Sequence, residues 1–235
     1  MLKVSRQPSG DPEIFLSLQG EGNTLGMPTA FVRLAMCNLS CSWCDTKYTW
    51  DWQTHDQDAN TMEMSVRQVT DAISVFNSQR LVITGGEPLL QQKELASLGA
   101  NLSQIGYSIE VETNGTLTPS ADMMATVNQW NVSPKLENSS NPHDGRVASL
   151  AIEAFQKMEC AYFKFVLVTQ QDVDEVERLV SKYMIRRDRV ILMPEGTTAS
   201  ELSNRADWVA ALSIQHGFRY SPRLQISLWG NTRGR

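Results

Sequence analysis

The sequence lacks the features that attach a protein to a membrane or to nucleic acid. Its 235 residues contain no apolar run near the roughly 20 residues of a membrane span, and residues 1–15 lack the apolar segment of a secretory signal. The net charge of −5 at pH 7 does not indicate a basic surface for nucleic acid. We therefore expect a cytoplasmic protein whose partners include neither nucleic acid nor a membrane.

Cysteine is scarce, and most of it is clustered. Three of the four cysteines, Cys37, Cys41 and Cys44, lie close together, while Cys160 stands alone at the start of an apolar run. A cytosolic chain of this length can bury a core without disulfides, so the clustering predicts a metal site. Cys160 is predicted to be a small buried hydrophobic side chain.

Short apolar runs alternate with amphipathic segments, and this alternation predicts an α/β fold with parallel strands. The predicted strands are residues 29–35, 80–84, 107–112, 129–133, 161–168 and 189–193. Helical periodicity lies between them, and Ser65 is expected to be the N-cap of the first helix. About six β/α units are too few to close an eight-stranded barrel, so we predict an open, partial (β/α)6-type barrel.

We expect one domain over residues 1–235, because no repeat, low-complexity tract or long linker divides the chain. Residues 223–228 are predicted to add a further strand. The polar, tryptophan-rich stretch 43–60 has no clear periodicity and is expected to cover the functional site.

The clustered cysteines form a CxxxCxxC motif, Cys37-Asn-Leu-Ser-Cys41-Ser-Trp-Cys44, directly after the first predicted strand. Three thiolates would leave one iron of a four-iron cluster without a protein ligand. The amino and carboxylate groups of S-adenosylmethionine (SAM) can chelate such an open iron. A zinc knuckle is the alternative, although zinc usually takes four ligands and only His55 lies nearby. A redox CxxC at Cys41 and Cys44 would leave Cys37 unexplained.

A second motif, Thr84-Gly85-Gly86-Glu87-Pro88, follows the second predicted strand. Its glycines allow the backbone to approach a ligand closely, and a carboxylate or backbone acceptor there can hold the ammonium of a bound methionine group. An ordinary strand-to-helix turn is the alternative. Both motifs fall at the carboxyl ends of predicted strands, where β/α folds build their sites.

Further motifs narrow the interpretation. They are Leu18-Gln19-Gly20-Glu21-Gly22, Phe31-Val32-Arg33-Leu34, Cys44-Asp45-Thr46, Glu112-Thr113-Asn114-Gly115-Thr116, Ser133-Pro134-Lys135 and Leu228-Trp229-Gly230-Asn231. With the two motifs above, this set resembles the radical SAM superfamily and, within it, the 7-carboxy-7-deazaguanine synthases of queuosine and 7-deazapurine biosynthesis. The resemblance spans residues 14–232.

The resemblance implies a radical SAM lyase that converts 6-carboxy-5,6,7,8-tetrahydropterin to 7-carboxy-7-deazaguanine and ammonia through a 5′-deoxyadenosyl radical. It implies a 4Fe-4S cluster, SAM and Mg²⁺ as cofactors. It also implies a homodimer, and an electron donor such as flavodoxin or ferredoxin.

The resemblance also implies roles for individual residues. Cys37, Cys41 and Cys44 would ligate the cluster, and Thr46 would ligate Mg²⁺ through its hydroxyl. The residues expected to bind the pterin substrate are Leu18, Gln19, Gly20, Arg33 and Thr84. Those expected to bind SAM are Gly86, Glu87, Ser133, Pro134, Lys135 and Gln170.

Chemistry agrees with two of these roles. The amide of Gln19 can both donate to and accept from a pterin edge, and Arg33 offers a guanidinium fork suited to the substrate carboxylate. Asp45 is expected to pair with Lys47 or to hold the loop.

Several residues depart from the family pattern or stay outside it. Met36 stands where the family often has glycine, and Gln225 stands where histidine is frequent, so Gln225 is given no catalytic role. The arginines of the tail, Arg219, Arg223, Arg233 and Arg235, are expected to form a solvated face or a dimer contact.

Two other functions are open to this sequence. A radical SAM activase acting on a protein backbone, of the glycyl-radical type, would share the cysteine and Gly-Gly-Glu-Pro motifs. A non-catalytic electron carrier would need a fourth cluster ligand and would leave the remaining motifs without a role.

Overall fold

The computed structural model describes all 235 residues and contains one ten-stranded sheet and nine α-helices. The strands are β1 Leu2–Ser5, β2 Ile14–Leu18, β3 Pro28–Leu34, β4 Thr61–Met64, β5 Arg80–Gly85, β6 Ser108–Thr113, β7 Gln129–Val132, β8 Ala161–Leu167, β9 Val190–Pro194 and β10 Arg219–Tyr220. The helices are α1 Gln57–Asn60, α2 Val66–Ser74, α3 Gln92–Gln104, α4 Ala121–Thr126, α5 His143–Arg146, α6 Ser149–Gln156, α7 Asp172–Lys182, α8 Ala199–His216 and α9 Leu224–Trp229.

Six neighbouring strands, β3 and β5 to β9, are parallel, and they are the six that the apolar runs predict. The sheet order runs from β10 through β9, β8, β7, β6, β5, β3 and β1 to β4, so the two ends do not meet. The expected open, partial barrel is therefore confirmed. No helix is both long and apolar enough to cross a bilayer.

Four short strands were not predicted. β1, β2 and β4 are antiparallel additions beside β3, and β10 pairs with β9 at the far edge. Each has five residues or fewer. A segment this short shows too little periodicity to be recognised, because its pairing depends on a distant partner strand.

The prediction of a strand over residues 223–228 is wrong. This segment forms α9, Leu224–Trp229, which Gly230 ends with a φ of 66°. The alternating apolar pattern of Leu224, Ile226 and Leu228 suggested a strand, but β10 already occupies the edge beyond β9. The backbone N–H of Leu224 instead donates to Gly20 O at 2.9 Å, which docks the helix against the loop after β2.

The two faces of the parallel sheet differ in chemistry. The outer face carries side chains such as Val32, Ile83 and Phe163, which join the 40-residue core beneath the helices. α2 packs there through Val69 and Ile73, and Ser65 caps it as predicted, its hydroxyl accepting from Gln68 N. The inner face has a small apolar cluster at one end, and polar side chains follow toward the carboxyl ends of the strands.

The apolar cluster on the inner face consists of Phe15, Phe31 and Val82. The Phe15 and Phe31 rings stack with centroids 5.2 Å apart. Two residues further along, β3 and β5 place Arg33 beside Thr84 in the parallel register. Because strand side chains alternate between faces, Phe31 and Arg33 share the inner face and build the floor and the wall of one cavity.

Candidate active site

A cavity of about 480 Å³ lies inside the partial barrel, at the carboxyl ends of its parallel strands. It collects most of the predicted site residues, although they come from separate parts of the sequence. The predicted residues on its wall are Leu18, Gln19, Gly20, Arg33, Cys37, Cys41, Cys44, Thr46, Thr84, Gly86, Ser133 and Lys135. Glu87, Pro134 and Gln170 are not among the residues that line it.

The three loop cysteines are free thiols that face this cavity. The loop is tied to the segment after β7, because Ser40 N donates to Asn141 Oδ1 at 2.9 Å and Ser42 N donates to Ser139 O at 3.0 Å. Burial raises the pKa of the Cys37 thiol to about 11. Metal binding must therefore displace a firmly held proton from this thiol.

The donor set fits a cluster better than a single ion. No three side chains of histidine, cysteine, aspartate or glutamate converge closely enough to hold one metal ion. A tetrahedral zinc site needs such convergence, so the zinc alternative has no preformed site here. Cys37, Cys41 and Cys44 all line one cavity, and a 4Fe-4S cluster takes cysteine thiolates as its ligands.

The turn after β5 brings the backbone very close to the cysteine loop. A Cβ added at Gly85 would overlap Leu34 O, and one added at Gly86 would overlap Met36 O. Gly85 also has a φ of 129°, which side-chain-bearing residues rarely adopt. Gly85 is therefore required for the close approach to the end of β3, and Gly86 for the contact with the start of the cysteine loop.

Glu87 lies beneath the cavity. It is fully buried, and its Oε1 accepts from Leu89 N at 3.0 Å and from Thr113 Oγ1 at 2.8 Å. Its Oε2 accepts from Asn114 N at 2.7 Å. Burial raises the pKa of this carboxyl group, and these three donors oppose that rise. Glu87 thus joins the turn to the end of β6.

Met36, just before Cys37, has a φ of 77°, a left-handed conformation that costs a non-glycine residue about 1–2 kcal/mol. Its backbone is held there, because Met36 N donates to Thr49 O at 2.7 Å and Glu87 N donates to Met36 O at 2.8 Å. The conformation explains why glycine is suited to this position.

We expect Met36→Gly to stabilise the protein by about 1 kcal/mol, since it relieves this backbone strain. Urea unfolding of the cluster-free protein measures the change. Met124→Gly is the control, because Met124 lies in α4 and is 44% exposed. A glycine inside a helix should destabilise the protein by about 1 kcal/mol. A decrease in stability for both variants would show that Met36 is not strained.

Arg33 belongs to a buried charged group at the start of the cavity. The Glu13 carboxylate is fully buried, and it accepts from Arg33 Nε at 2.8 Å, from Tyr48 Oη at 3.0 Å and from Arg233 at 3.3 Å. The Arg233 guanidinium lies 3.5 Å from the centre of the Tyr48 ring. Two guanidiniums thus share one carboxylate, so the group carries one positive charge in excess.

Gln19 is buried under a pair of carboxylates. Its Nε2 donates to Glu110 Oε1 at 2.8 Å and to Glu112 Oε1 at 3.3 Å, and its Oε1 accepts from Glu21 N at 3.3 Å. Asn131 also donates to both carboxylates. Burial and the neighbouring Glu112 raise the pKa of Glu110. Of the two carboxylates, Glu112 lines the cavity.

Lys164 connects this pair to the C-terminal segment. Its Nζ donates to Glu112 Oε2 at 2.9 Å and to Glu21 Oε2 at 2.7 Å. Burial alone would lower the pKa of Lys164, but the two carboxylates raise it above its usual value. Arg223 continues the chain of charges by pairing with Glu21 at 3.1 Å and with Asp45.

Two expectations about charged residues are corrected by this network. Asp45 pairs with Arg223, whereas the sequence suggested that it pairs with Lys47 or holds the loop. Arg223 and Arg233 line the cavity and pair with buried or half-buried carboxylates, so they are not part of a solvated face. The segment after β10 was assigned no site, and its contacts with residues before β3 could not be read from local sequence.

The remaining predicted residues fall into two groups. Thr46 and Lys135 lie close to the cysteine loop, with Thr46 Oγ1 3.6 Å from Cys44 Sγ and Lys135 Nζ 5.6 Å from the Trp43 ring centre. Lys135 Nζ donates to Ser133 Oγ at 2.8 Å. Gln170 is exposed on the loop after β8.

Gln225, at the position that departs from the family pattern, packs against Gly20. A Cβ on Gly20 would overlap Gln225 Oε1. Gln225 Nε2 donates to Glu21 Oε1 at 2.7 Å, while its Oε1 is buried without a donor. The absence of a side chain at Gly20 therefore makes room for the C-terminal segment.

The cavity has the opposite charge to the whole chain. Six basic and four acidic side chains line it, in a protein whose net charge is −5. The basic ones are Arg33, Lys135, Lys164, Arg223, Arg233 and Arg235. An excess of cations in a confined site favours an anionic ligand.

Residues 32–144 match the sequence pattern of the radical SAM superfamily. This stretch contains both the cysteine loop and the Gly-Gly-Glu-Pro turn. The open parallel barrel, with three free thiols at the carboxyl ends of its strands, agrees with that match. The fold and the site therefore define a radical SAM protein, with a 4Fe-4S cluster and SAM as its cofactors.

Relatives that match over nearly the whole chain narrow the class. The chain is 42% identical to the 7-carboxy-7-deazaguanine synthase of Pyrobaculum aerophilum over 227 residues, which cover 95% of this chain and 96% of the relative. It is 36% identical to the synthase of the same name from Halobacterium salinarum, with coverages of 93% and 90%. This chain belongs to the 7-carboxy-7-deazaguanine synthase family.

A solved structure supports the fold. The crystal structure of QueE from Escherichia coli superimposes with a TM-score of 0.72 at 24% identity, and the match covers 95% of this chain and 94% of that one.

Proposed function

We propose that this protein is a radical SAM lyase that converts 6-carboxy-5,6,7,8-tetrahydropterin to 7-carboxy-7-deazaguanine with loss of ammonia. The observation that carries the proposal is that the three loop cysteines, the half-buried Arg33 and Arg233 and the carboxylate of Glu112 line one cavity. When bound, the cluster and SAM supply the radical that starts the reaction. The protein's own residues bind and orient the reactants and exclude water.

The substrate carboxylate is assigned to Arg33. Glu13 holds Nε of Arg33, so the two terminal nitrogens of the guanidinium are left for a ligand. A carboxylate bound there would receive two parallel hydrogen bonds. It would also balance the excess positive charge that Arg33 and Arg233 leave around Glu13. Thr84 lies beside Arg33 in the register and offers a hydroxyl to the same ligand.

The pterin ring is assigned to the space between the apolar cluster of Phe15, Phe31 and Val82 and the carboxylate of Glu112. A pterin presents N–H donors along one edge, and Glu112 faces the cavity as an acceptor. Gln19 supports this contact by donating to Glu112 and Glu110. Leu18 and Gly20 complete the adjoining wall. The stacked Phe15 and Phe31 rings offer the apolar surface on which a flat ring can lie.

SAM is assigned to the region between the cysteine loop and the ends of β5 to β9. Gly86 offers backbone groups to the methionine part, and Glu87 holds that turn in place from below. The chain of Ser133, Pro134 and Lys135 is proposed to bind the ribose and carboxylate, since Lys135 supplies a cation and Ser133 a hydroxyl. Gln170 stays proposed for the adenine on the resemblance alone, because it lies away from the cavity wall.

A magnesium ion is proposed at Thr46. Its hydroxyl faces the cavity next to the cysteine loop, and Mg²⁺ commonly keeps several waters and takes few protein ligands. The substrate carboxylate and water would fill the other positions.

Thr46→Ala is expected to raise the Mg²⁺ concentration that half-activates the enzyme by about tenfold, because one oxygen ligand is lost. Steady-state rates against Mg²⁺ concentration measure this, with iron and sulfide content as the check on the cluster. Thr54→Ala is the matched control, since Thr54 lies on the same irregular stretch and is exposed. An unchanged half-activating Mg²⁺ concentration in Thr46→Ala protein that keeps its cluster would contradict the assignment, and so would a loss of the cluster itself.

The electron donor and the assembly state are also proposals. We propose a small low-potential protein such as flavodoxin or ferredoxin as donor, and a homodimer in solution. Both rest on the family resemblance.

The decisive experiment for the activity is reconstitution without oxygen. The protein is loaded with iron and sulfide, reduced with dithionite and given SAM, Mg²⁺ and 6-carboxytetrahydropterin. We expect formation of 7-carboxy-7-deazaguanine, detected by mass spectrometry. Cleavage of SAM without this product would favour the backbone-activase alternative, which the full-length relatives do not favour. An EPR spectrum of the reduced cluster that SAM does not change would contradict SAM binding itself.

A further inference from the structure

Each of the three cluster cysteines has its own side-chain N–H group directed at its sulfur. Trp50 Nε1 donates to Cys44 Sγ at 3.3 Å, and Asn141 Nδ2 donates to Cys41 Sγ at 3.2 Å. Asn114 Nδ2 is directed at Cys37 Sγ from a longer 4.0 Å. The three donors come from different segments: the loop after β3, the segment after β7 and the end of β6.

The Asn141 side chain is held in place independently of its sulfur. Asn141 is 7% exposed, and its Oδ1 accepts from Ser40 N at 2.9 Å, which turns its amide nitrogen toward Cys41. The indole N–H of Trp50 can only donate, and Cys44 Sγ is its acceptor in the protein.

An amide nitrogen carries two hydrogens, so Asn141 Nδ2 can donate both to Cys41 Sγ and to Ser139 Oγ, which lies 3.1 Å away. Asn114 Nδ2 donates to Asn38 Oδ1 at 2.9 Å, so its contact with Cys37 is the weakest of the three.

An N–H directed at a cysteine sulfur places the positive end of a dipole beside the cluster. The reduced cluster carries one more negative charge than the oxidised one, so the dipole favours the reduced state. Hydrogen bonds to the sulfurs are one of the means by which proteins set cluster reduction potentials.

We propose that Trp50 and Asn141 are positioning residues that raise the reduction potential of the cluster through N–H···S hydrogen bonds to Cys44 and Cys41. The cluster is thereby easier for an external donor to reduce, at the expense of some driving force for SAM cleavage. The proposal rests on the radical SAM cluster but not on the identity of the substrate, so it can be tested without any lyase turnover.

Trp50→Phe tests the proposal, because it keeps an aromatic ring and removes only the N–H and part of the ring area. We expect the cluster to become about tenfold harder to reduce, which for one electron equals a midpoint shift of about 59 mV to more negative potential. A redox titration followed by the EPR signal of the reduced cluster measures the midpoint. Iron and sulfide content normalises the signal.

Trp43→Phe is the matched control. Trp43 adjoins Cys44, but its indole N–H donates to Asn138 Oδ1 at 3.1 Å and to no sulfur. We expect its midpoint to stay near that of the parent protein. Equal midpoints for Trp50→Phe and the parent protein would overturn the proposal, and so would equal shifts in both variants.

A measurement on the unaltered chain decides the case if Trp50→Phe does not hold a cluster. Protein with ¹⁵N in its tryptophan indoles is reduced, and pulsed EPR is used to look for ¹⁵N coupling to the cluster. The proposal requires such a coupling in the unaltered chain and in Trp43→Phe. Its absence from the unaltered chain would overturn the proposal, whether or not the protein forms 7-carboxy-7-deazaguanine.

Discussion

Replacing any one of Cys37, Cys41 and Cys44 by serine is expected to abolish SAM cleavage and deazaguanine formation. The three thiols face one cavity, and no other cysteine lines it, so a lost ligand has no substitute. Serine has nearly the same size, and a fold that needs no disulfide should survive the change. The measurements are iron and sulfide content after reconstitution, the visible absorption of the cluster, and product formation by mass spectrometry.

Cys160→Ala is the control for this series. Cys160 is a free, partly buried thiol that packs against the main core, away from the cavity. It should retain the cluster and activity, with a modest loss of stability from the smaller side chain. Full activity in any of the three serine variants would remove that cysteine from the cluster, and loss of cluster in Cys160→Ala would place a fourth ligand outside the predicted loop.

Arg33→Lys is expected to lower kcat/KM by about 100-fold, equivalent to about 2.7 kcal/mol of transition-state binding. Lysine keeps the charge but cannot hold Glu13 through one nitrogen while offering two others to the substrate carboxylate. The loss should appear mainly as a higher KM, because the carboxylate is bound in the ground state and the transition state alike. Steady-state kinetics with varied pterin concentration measures it.

Arg80→Lys is the matched control for that change. Arg80 lies at the start of β5, and its guanidinium is 3.7 Å from buried Glu110, but it does not line the cavity. Its replacement should change stability more than KM. If Arg33→Lys leaves KM unchanged, the substrate carboxylate binds elsewhere. The alternative site nearest in the structure is Arg233, which shares Glu13 with Arg33.

The six parallel strands could be predicted because each is a local apolar run between turn signals, and such runs carry their own periodicity. The cysteine loop was equally local, since eight consecutive residues contain all three of its cysteines. The structure or the chemistry of such local segments can be predicted before the fold is known. The short strands β1, β2 and β4 could not be predicted in this way, because only their pairing with distant partner strands defines them.

The charged network around the cavity could not be predicted from local sequence. Glu21, Lys164 and Arg223 lie far apart along the chain, yet their side chains form one continuous set of ion pairs. One signal was present in the sequence: Lys164 interrupts an apolar strand, where an unpaired charge would be costly. The buried charge of Lys164 therefore required acidic partners, but nothing in the sequence identified which carboxylates they are.

The direction in which a side chain points is a second property that could not be predicted from the sequence. The sequence placed Glu87 next to the glycines of the turn, but a carboxylate there can face the ligand or the protein. Leu89 N, Thr113 Oγ1 and Asn114 N all donate to it, so it faces the protein. Three convergent donors from two segments decide the direction, and two of those donors lie more than 20 residues away.

The C-terminal wall of the cavity has a consequence for the order in which the site is assembled. Residues 223–235 are translated long after the cysteine loop, and α9 buries only Ile226. Until this segment docks through Arg223 and Arg233, the part of the cavity wall that it contributes is missing. Synthesis from the N-terminus therefore produces the cysteine loop well before the last residues of the cavity wall.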